Sequence, residues 1–206
     1  MKVNNIFESI QGEGLMQGQP VLFIRLAGCN RNCAWCDTKY HTEFTEYTPQ
    51  QLATKIITID KPVVWTGGEP LLQYGDIWEA NRLVIEQGTH SIYNYVETNG
   101  DLVVSNNWHV LSCTFEHITI SPKNLETTKR VKEYYERHRT IKVVTDLKGV
   151  NMDLIEYADM LMPLTVPDKE ETNEIRQRVW EYCSKYNLFY SARLHVDVWG
   201  FESRGV

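Results

Sequence analysis

The alternation of short apolar segments with helical segments is the feature of this 206-residue sequence that most restricts its fold. Six segments are short and rich in Val, Ile and Leu, with little polar alternation: residues 21–27, 62–66, 92–97, 117–121, 140–145 and 160–164. Such segments are typical of parallel strands that helices cover. The pattern therefore predicts an α/β fold made of right-handed βαβ units.

Helical segments fill the intervals between these strands. Thr48-Pro49-Gln50-Gln51 is a capping box with proline at the first helical position, which predicts a helix start. Further helices are predicted over residues 76–86, 127–137, 151–157 and 170–186. A full eight-unit barrel takes about 250 residues, so six units predict a partial (β/α)6-type barrel of parallel strands. No linker-like stretch divides the chain, and we expect a single domain over residues 1–206.

Charge and hydropathy exclude several classes of partner. The chain has 21 Lys and Arg against 27 Asp and Glu, a net charge of −6, so it lacks the basic surface that binds many phosphates. No apolar run approaches the roughly 20 residues of a membrane-spanning helix, and the N-terminus has no apolar segment of a signal peptide. We therefore expect a cytoplasmic protein with no nucleic-acid or membrane partner.

Polar residues and glycines follow the ends of the predicted strands. These ends read Gly28-Cys29, Thr66-Gly67-Gly68-Glu69, Glu97-Thr98-Asn99-Gly100, Ser121-Pro122-Lys123 and Thr145-Asp146. Ligands bind at the carboxyl ends of the strands in parallel α/β sheets. The sequence thus predicts a binding site along this edge.

Three of the five cysteines, Cys29, Cys33 and Cys36, lie after the first predicted strand with the spacing C-x3-C-x2-C. The odd number of cysteines, five, and the clustering of three of them argue against a disulfide framework in a chain this long. Three neighbouring thiolates favour a soft metal centre. One interpretation is a closed zinc site with His41 as fourth ligand; another is an iron–sulfur cluster whose fourth position is open. The other two cysteines are interpreted as packing thiols: Cys113 and Cys183.

The cysteine spacing, together with Gly67-Gly68-Glu69-Pro70 after the second predicted strand, resembles the radical S-adenosylmethionine (SAM) superfamily. Further segments are similar to one family within it, the 7-carboxy-7-deazaguanine synthases: residues 7–14, 23–26, 36–38, 97–100, 121–123, 193–195, 199–200 and 204–206. This resemblance implies a lyase that converts 6-carboxy-5,6,7,8-tetrahydropterin to 7-carboxy-7-deazaguanine with loss of ammonia, in queuosine and 7-deazapurine biosynthesis. It also implies an external one-electron reductant of the flavodoxin type and a homodimer.

The resemblance implies a role for each matching residue. It implies that Cys29, Cys33 and Cys36 bind a 4Fe–4S cluster and that Thr38 binds Mg²⁺. Contacts with SAM are implied for Trp35, Asp37, Gly67, Gly68, Glu69, Asn99, Ser121 and Lys123, with the Glu69 carboxylate accepting from the SAM ammonium group. Substrate contacts are implied for Ile10, Gln11, Gly12, Glu13, Arg25, Thr66, His195 and the terminal carboxylate of Val206.

Simpler interpretations remain open for several of these residues. Arg25 lies in an otherwise apolar strand, where its charge requires a partner: a substrate carboxylate, Glu13 or Glu69. Lys123 is alternatively a solvated lysine, and Asn99 with the glycine after it is also a turn signal. Residues 196–198 and 201–203 depart from the family pattern.

Two other functions remain alternatives. The first is an activase that makes a glycyl radical on a partner protein, since such enzymes share the cysteine spacing. The second is a non-enzymatic zinc-binding module.

Overall fold

The computed structural model describes residues 1–33, 36, 42–87, 93–134 and 136–200, with backbone alone at positions 105 and 106. Within these residues, one nine-stranded sheet has the order β3-β1-β2-β4-β5-β6-β7-β8-β9. The strands are β1 Lys2–Ile10, β2 Pro20–Leu26, β3 Thr45–Glu46, β4 Val63–Gly67, β5 Asn94–Thr98, β6 His117–Ile120, β7 Arg139–Thr145, β8 Met160–Pro163 and β9 Phe189–Tyr190. From β2 to β9, neighbouring strands in the sheet are parallel, and β1 joins β2 and β3 antiparallel. All six predicted strands are confirmed, as is the partial barrel.

Six α-helices connect or follow the strands in the described part of the chain. They are α1 Pro49–Ile59, α2 Tyr74–Gln87, α3 Ser105–Thr114, α4 Leu125–Lys132, α5 Lys169–Tyr186 and α6 Leu194–Trp199. The predicted capping box is confirmed: the Thr48 hydroxyl accepts from the Gln51 amide, and the Gln51 side chain accepts from the Thr48 amide. None of the helices described is both long and apolar enough to cross a membrane.

The two faces of the sheet have different compositions. On β2, Leu22, Ile24 and Leu26 are fully buried in the main core, which also includes side chains from α1 to α5. Because successive side chains of a strand point to opposite faces, Phe23 and Arg25 lie on the other side, here called the inner face. By the same alternation, Lys142 on β7 lies on the inner face between the core residues Ile141 and Val143. The fold thus brings a lysine and an arginine to one face.

Several elements differ from the sequence prediction. The helix predicted over 127–137 ends at Lys132 and is followed by a 3-10 turn, Glu136–His138, and Met152–Tyr157 is a 3-10 helix. The prediction omitted β1, β3, β9, α3 and α6. β1 carries polar residues among its apolar ones and is largely half-buried, so it lacks the pattern of a covered strand. Cys183 is buried as predicted, whereas Cys113 lies exposed on α3, so its prediction as a packing thiol is wrong.

A buried histidine, His117, makes the stability of the fold depend on pH. It is 6% exposed and its Nε2 lies 2.8 Å from the Thr140 hydroxyl. Burial, with a contribution from His138, lowers the pKa of His117 to about 4. The unfolded chain takes up this proton near pH 6.5, so it binds more protons than the folded chain at acidic pH. The contribution of neutral His117 to the free energy of unfolding is therefore fully present above about pH 6.5 and decreases as the pH falls towards 4.

We expect His117→Gln to remove this acid sensitivity, because glutamine can bond to Thr140 without titrating. Between pH 7 and about pH 4, wild type should lose about 3 kcal/mol more free energy of unfolding than the variant does. Denaturant unfolding at a series of pH values measures this difference. The control is His109→Gln, since His109 is exposed; an equal effect of the two substitutions would contradict the prediction.

Candidate active site

Two glycines bring the end of β4 against the start of the cysteine loop. A Cβ on Gly67, where φ is +126°, would lie 2.1 Å from the Leu26 carbonyl oxygen, and one on Gly68 would lie 1.9 Å from the Gly28 carbonyl oxygen. The amide of Gly68 donates to Leu26 and that of Glu69 donates to Gly28, at 3.0 and 2.8 Å. No side chain fits at either position, so the sequence requires glycine for this close backbone approach.

The carboxylate of Glu69 is fully buried where β4 and β5 end. It accepts from the Leu71 amide at 3.0 Å, the Thr98 hydroxyl at 2.7 Å and the Asn99 amide at 2.8 Å. Burial outweighs these hydrogen bonds and raises the pKa of the Glu69 carboxyl. The predicted contact of this carboxylate with a SAM ammonium group stays a prediction; in this structure the carboxylate is shielded from solvent and bonded to donors of its own chain.

An ion pair fixes the cysteine loop to the turn after β5. Arg31 donates twice to Asp101, at 2.5 and 2.7 Å, and the Asn30 amide donates to the same carboxylate at 3.0 Å. Thr127 donates to Asp101 from α4 at 2.9 Å. Burial of Asp101 opposes its ionisation, but the hydrogen bonds from Arg31 and Thr127 outweigh burial and lower its pKa. A charge-assisted, bidentate contact of this kind restricts the loop strongly.

The donor set of the loop fits an iron–sulfur cluster. Cys29, Cys33 and Cys36 are half-buried free thiols in one loop, and the Cys36 amide donates to the Cys33 carbonyl at 3.2 Å. Thiolates are the ligands that such clusters use. Within the described residues, no three His, Cys, Asp or Glu side chains converge around a position for a single metal ion. His41, the fourth ligand of the alternative zinc site, lies outside the described residues.

A second polar group of residues lies on the inner face, around Glu13. Lys142 donates to Glu13 Oε2 at 2.5 Å, and Arg193 donates to Oε1 at 3.1 Å. His195 Nε2 lies 3.9 Å from Oε1. Burial opposes the ionisation of Glu13, but the charges of Lys142 and Arg193 outweigh it and hold the pKa of Glu13 well below its usual range. The carboxylate is therefore ionised.

Gln11 and Thr66 meet on a further carboxylate of this face, that of Glu97. The Gln11 side-chain amide donates to Oε1 at 3.1 Å and the Thr66 hydroxyl to Oε2 at 3.0 Å. Gly12 accepts from the Leu194 amide at 2.9 Å, and a Cβ on Gly12 would lie 2.0 Å from His195 Nδ1. The predicted substrate residues Gln11, Gly12, Glu13, Thr66 and His195 are thus brought together.

Comparison with known proteins identifies the family. A model of the radical SAM superfamily matches residues 23–147. The 7-carboxy-7-deazaguanine synthase of Clostridium acetobutylicum is 30% identical, over 100% of this chain and 99% of its own. The chain belongs to the radical SAM superfamily, and within it to the 7-carboxy-7-deazaguanine synthases. The synthase of Pyrobaculum aerophilum is 28% identical, over 100% of this chain and 97% of its own.

Solved structures agree with this assignment. The crystal structure of QueE from Escherichia coli matches with a TM-score of 0.63 and 25% identity, over 94% of each chain. A structure of anSMEcpe with bound AdoMet matches with a TM-score of 0.59 at 14% identity, over 87% of this chain and 65% of that one, and shares the fold. Membership of the radical SAM superfamily implies a 4Fe–4S cluster and SAM as cofactors.

The remaining predicted residues of this 7-carboxy-7-deazaguanine synthase lie in three places. Asn99, at the end of β5, donates to Asn30 of the cysteine loop at 2.8 Å, and Ser121 and Lys123 follow β6. Arg25 lies on the inner face, with its guanidinium 5.3 Å from the centre of the Phe7 ring, and Ile10 ends β1. Outside the described residues lie Trp35, Asp37, Thr38 and Val206.

Sequence reasoning missed four charged residues of this synthase: Glu97, Asp101, Lys142 and Arg193. Lys142 carried a usable signal, because it is a charge between the apolar residues Ile141 and Val143 and the same argument had singled out Arg25. Glu97 stands at a predicted strand end, which was a weaker signal. Asp101 and Arg193 lie outside the predicted strands, and their partners are 70 and 180 residues away along the chain.

We expect Arg31→Met to weaken the cysteine loop of the synthase. The substitution leaves the half-buried carboxylate of Asp101 without its bidentate partner, which should cost about 1–3 kcal/mol of unfolding free energy in the cluster-free protein. Reconstituted protein should also lose iron and sulfide faster in air than wild type, followed by absorbance and metal analysis. Arg176→Met is the control, since it removes an ion pair between more exposed groups, with Asp197. Equal cluster loss in the two variants would argue against this role.

Proposed function

We propose that this chain converts 6-carboxy-5,6,7,8-tetrahydropterin to 7-carboxy-7-deazaguanine, with release of ammonia. The observation that carries the proposal is the set of ionised and hydrogen-bonding groups on the inner face: Gln11, Glu13, Arg25, Thr66, Glu97, Lys142, Arg193 and His195. Similarity to the Clostridium acetobutylicum synthase along the whole chain supports it.

The charges on this face suit a substrate with one carboxylate. Among the described residues, three fixed cations, Arg25, Lys142 and Arg193, stand against the carboxylates of Glu13 and Glu97, which leaves one positive charge in excess before the Val206 carboxylate is counted. Arg25 offers the planar pair of donors that binds a carboxylate. Glu13 has lone pairs beyond those used by Lys142 and Arg193, so it can accept from an amino-pyrimidine edge. Ile10, Gln11, Gly12, Thr66, His195 and the Val206 carboxylate would complete the pterin contacts.

The cofactors would bind at the carboxyl ends of the strands beside this face. Cys29, Cys33 and Cys36 would hold the cluster, and the backbone at Gly67 and Gly68, which carries no side chains, would approach the methionine end of SAM. Further SAM contacts would come from Trp35, Asp37, Glu69, Asn99, Ser121 and Lys123, with Glu69 accepting from the SAM ammonium group. When bound, the cluster and SAM would supply the radical chemistry for removing the hydrogen at C6 of the substrate. The chain's own residues orient that carbon and exclude water.

Further features of the working enzyme belong to the same proposal. Mg²⁺ would bind through the Thr38 hydroxyl, with waters and substrate oxygens as its other ligands. We propose an external one-electron reductant of the flavodoxin type, a homodimer and a cytoplasmic location with reduced thiols. The continuous nine-stranded sheet supports a single radical SAM domain over residues 1–206.

An anaerobic assay with the pterin tests the proposal. Reconstituted protein is mixed with SAM, Mg²⁺, dithionite and 6-carboxytetrahydropterin, and products are identified by mass spectrometry. We expect 7-carboxy-7-deazaguanine with wild type and no product with Cys33→Ala, which removes a cluster ligand and leaves the sheet folded. Formation of 5′-deoxyadenosine alone would mean a different substrate. Activity that requires a partner protein would indicate an activase, and a colourless zinc protein would overturn the proposal.

Thr38→Ala tests the magnesium site separately. We expect this variant to need at least about tenfold more Mg²⁺ for half-maximal product formation, because it loses the one protein ligand proposed. Its uncoupled cleavage of SAM should stay near the wild-type rate. Thr42→Ala serves as a nearby control without effect. If Thr38→Ala reduces SAM cleavage and product formation equally, the residue is not a specific magnesium ligand.

A further inference from the structure

Lys142 is a buried charge in the middle of a core strand. Its side chain is 4% exposed, and its neighbours Ile141 and Val143 belong to the main core. A buried ammonium group is unfavourable unless an anion compensates it. That anion is Glu13, 129 residues earlier in the chain, whose Oε2 accepts from Lys142 Nζ at 2.5 Å. A buried charge on a core strand is energetically unfavourable, so it requires an explanation beyond packing.

The two oxygens of Glu13 are held by different elements. Oε2 accepts from Lys142 on β7, whereas Oε1 accepts from Arg193 at 3.1 Å. His195 follows Arg193 and lies 3.9 Å from Oε1. The Glu13 backbone amide donates to the Gln11 side chain at 3.3 Å. The plane of the carboxylate is therefore fixed between β7 and the segment before α6.

A second carboxylate increases the need for a cation on this face. Glu97 on β5 bonds to Gln11 and Thr66, and its charge stabilises the ammonium form of Lys142 together with that of Glu13. Burial works against that form, but the two carboxylates outweigh it and raise the pKa of Lys142. Two carboxylates in one site do not both ionise readily without a compensating cation. Lys142 is a cation that interacts with both.

We propose that Lys142 is a positioning residue for substrate binding, which keeps Glu13 ionised and oriented as the acceptor for the amino-pyrimidine edge of the ligand. The inference rests on the proposed function, since it assumes a ligand with that edge. Lys142 acts through Glu13, whereas Arg193 and His195 face the same carboxylate from the C-terminal side. Without Lys142, Glu13 would keep Arg193 but would lose the cation that holds its Oε2 and that also interacts with Glu97.

The test measures binding of 7-carboxy-7-deazaguanine, the stable product, by anaerobic titration calorimetry from about pH 5 to pH 9. We expect wild-type affinity to be nearly constant over this range. Lys142→Met should bind about 10- to 100-fold more weakly, and its affinity should decrease further as the pH falls, because the pKa of Glu13 rises when its cation is removed. Lys142→Arg keeps a cation and should restore the flat profile. In the assay, Lys142→Met should raise KM more than it lowers kcat.

Three controls separate positioning from a general structural effect. Lys132→Met removes a lysine–carboxylate pair elsewhere in the chain, the half-buried pair with Asp159, and should leave product affinity unchanged. Glu13→Gln should bind the product about 10-fold or more weakly than wild type. This loss should be the same at every pH, because glutamine does not titrate. In the double variant that combines Lys142→Met with Glu13→Gln, the additional decrease in product affinity at low pH should disappear. These readouts differ from the thermal destabilisation that a purely structural lysine would show.

The outcomes distinguish this inference from the proposed function. If wild type binds the product and Lys142→Met has the same affinity and pH profile, the inference is wrong while the function stands. If Lys142→Met does not fold, Glu13→Gln decides, and wild-type affinity in that variant overturns the inference. If wild type forms no product from the pterin and binds none, the proposed function fails first.

Discussion

The buried carboxylate of Glu69 is the interaction on which the ligand-binding end of the sheet depends. It accepts three hydrogen bonds where β4 and β5 end, and its own amide donates to Gly28 at the start of the cysteine loop. Removing such a group leaves buried donors unsatisfied, which costs about 1–3 kcal/mol for each one. The Gly-Gly-Glu-Pro turn, the end of β5 and the cysteine loop are therefore joined through one residue, by its side chain and its backbone amide. The ion pair of Arg31 and Asp101 fixes the same loop from its other side.

Glu13 is also largely buried, but its surroundings give it the opposite protonation behaviour. Glu69 is bound by uncharged donors, and burial raises its pKa. Burial also acts to raise the pKa of Glu13, but the neighbouring cations outweigh burial and lower this pKa. Neutral donors can satisfy a buried carboxyl group without fully offsetting the cost of its charge, whereas neighbouring cations keep a buried carboxylate ionised. The two buried glutamates thus differ in protonation because their donors differ: uncharged groups surround Glu69 at the ends of the strands, and cations surround Glu13 on the inner face.

The six parallel strands could be predicted because helices cover them and leave continuous apolar segments, whereas β1 could not, because most of its residues are only half-buried. The positions of Gly67 and Gly68 followed from their motif, and the structure adds the reason, a backbone approach that excludes a Cβ. The motif did not reveal the three donors of the Glu69 carboxylate, because they come from residues that sequence spacing does not relate to one another. The partners of Lys142 and Arg193 were equally inaccessible, because each pairs with Glu13 across more than half of the chain.

The two groups of residues also divide along the chain. The superfamily model matches residues 23–147, which include the cysteine loop, Glu69 and the strand ends, but neither Glu13 nor Arg193. The segments outside that match hold each other on the inner face: Leu194 donates to Gly12, the amide of Gly14 donates to the buried hydroxyl of Ser191, and Arg193 pairs with Glu13. Lys142 and Glu97 of the matched core contact the N-terminal segment, at Glu13 and Gln11. Relatives similar along the whole chain are therefore more informative about the inner face than the superfamily match, because their similarity includes both outer segments.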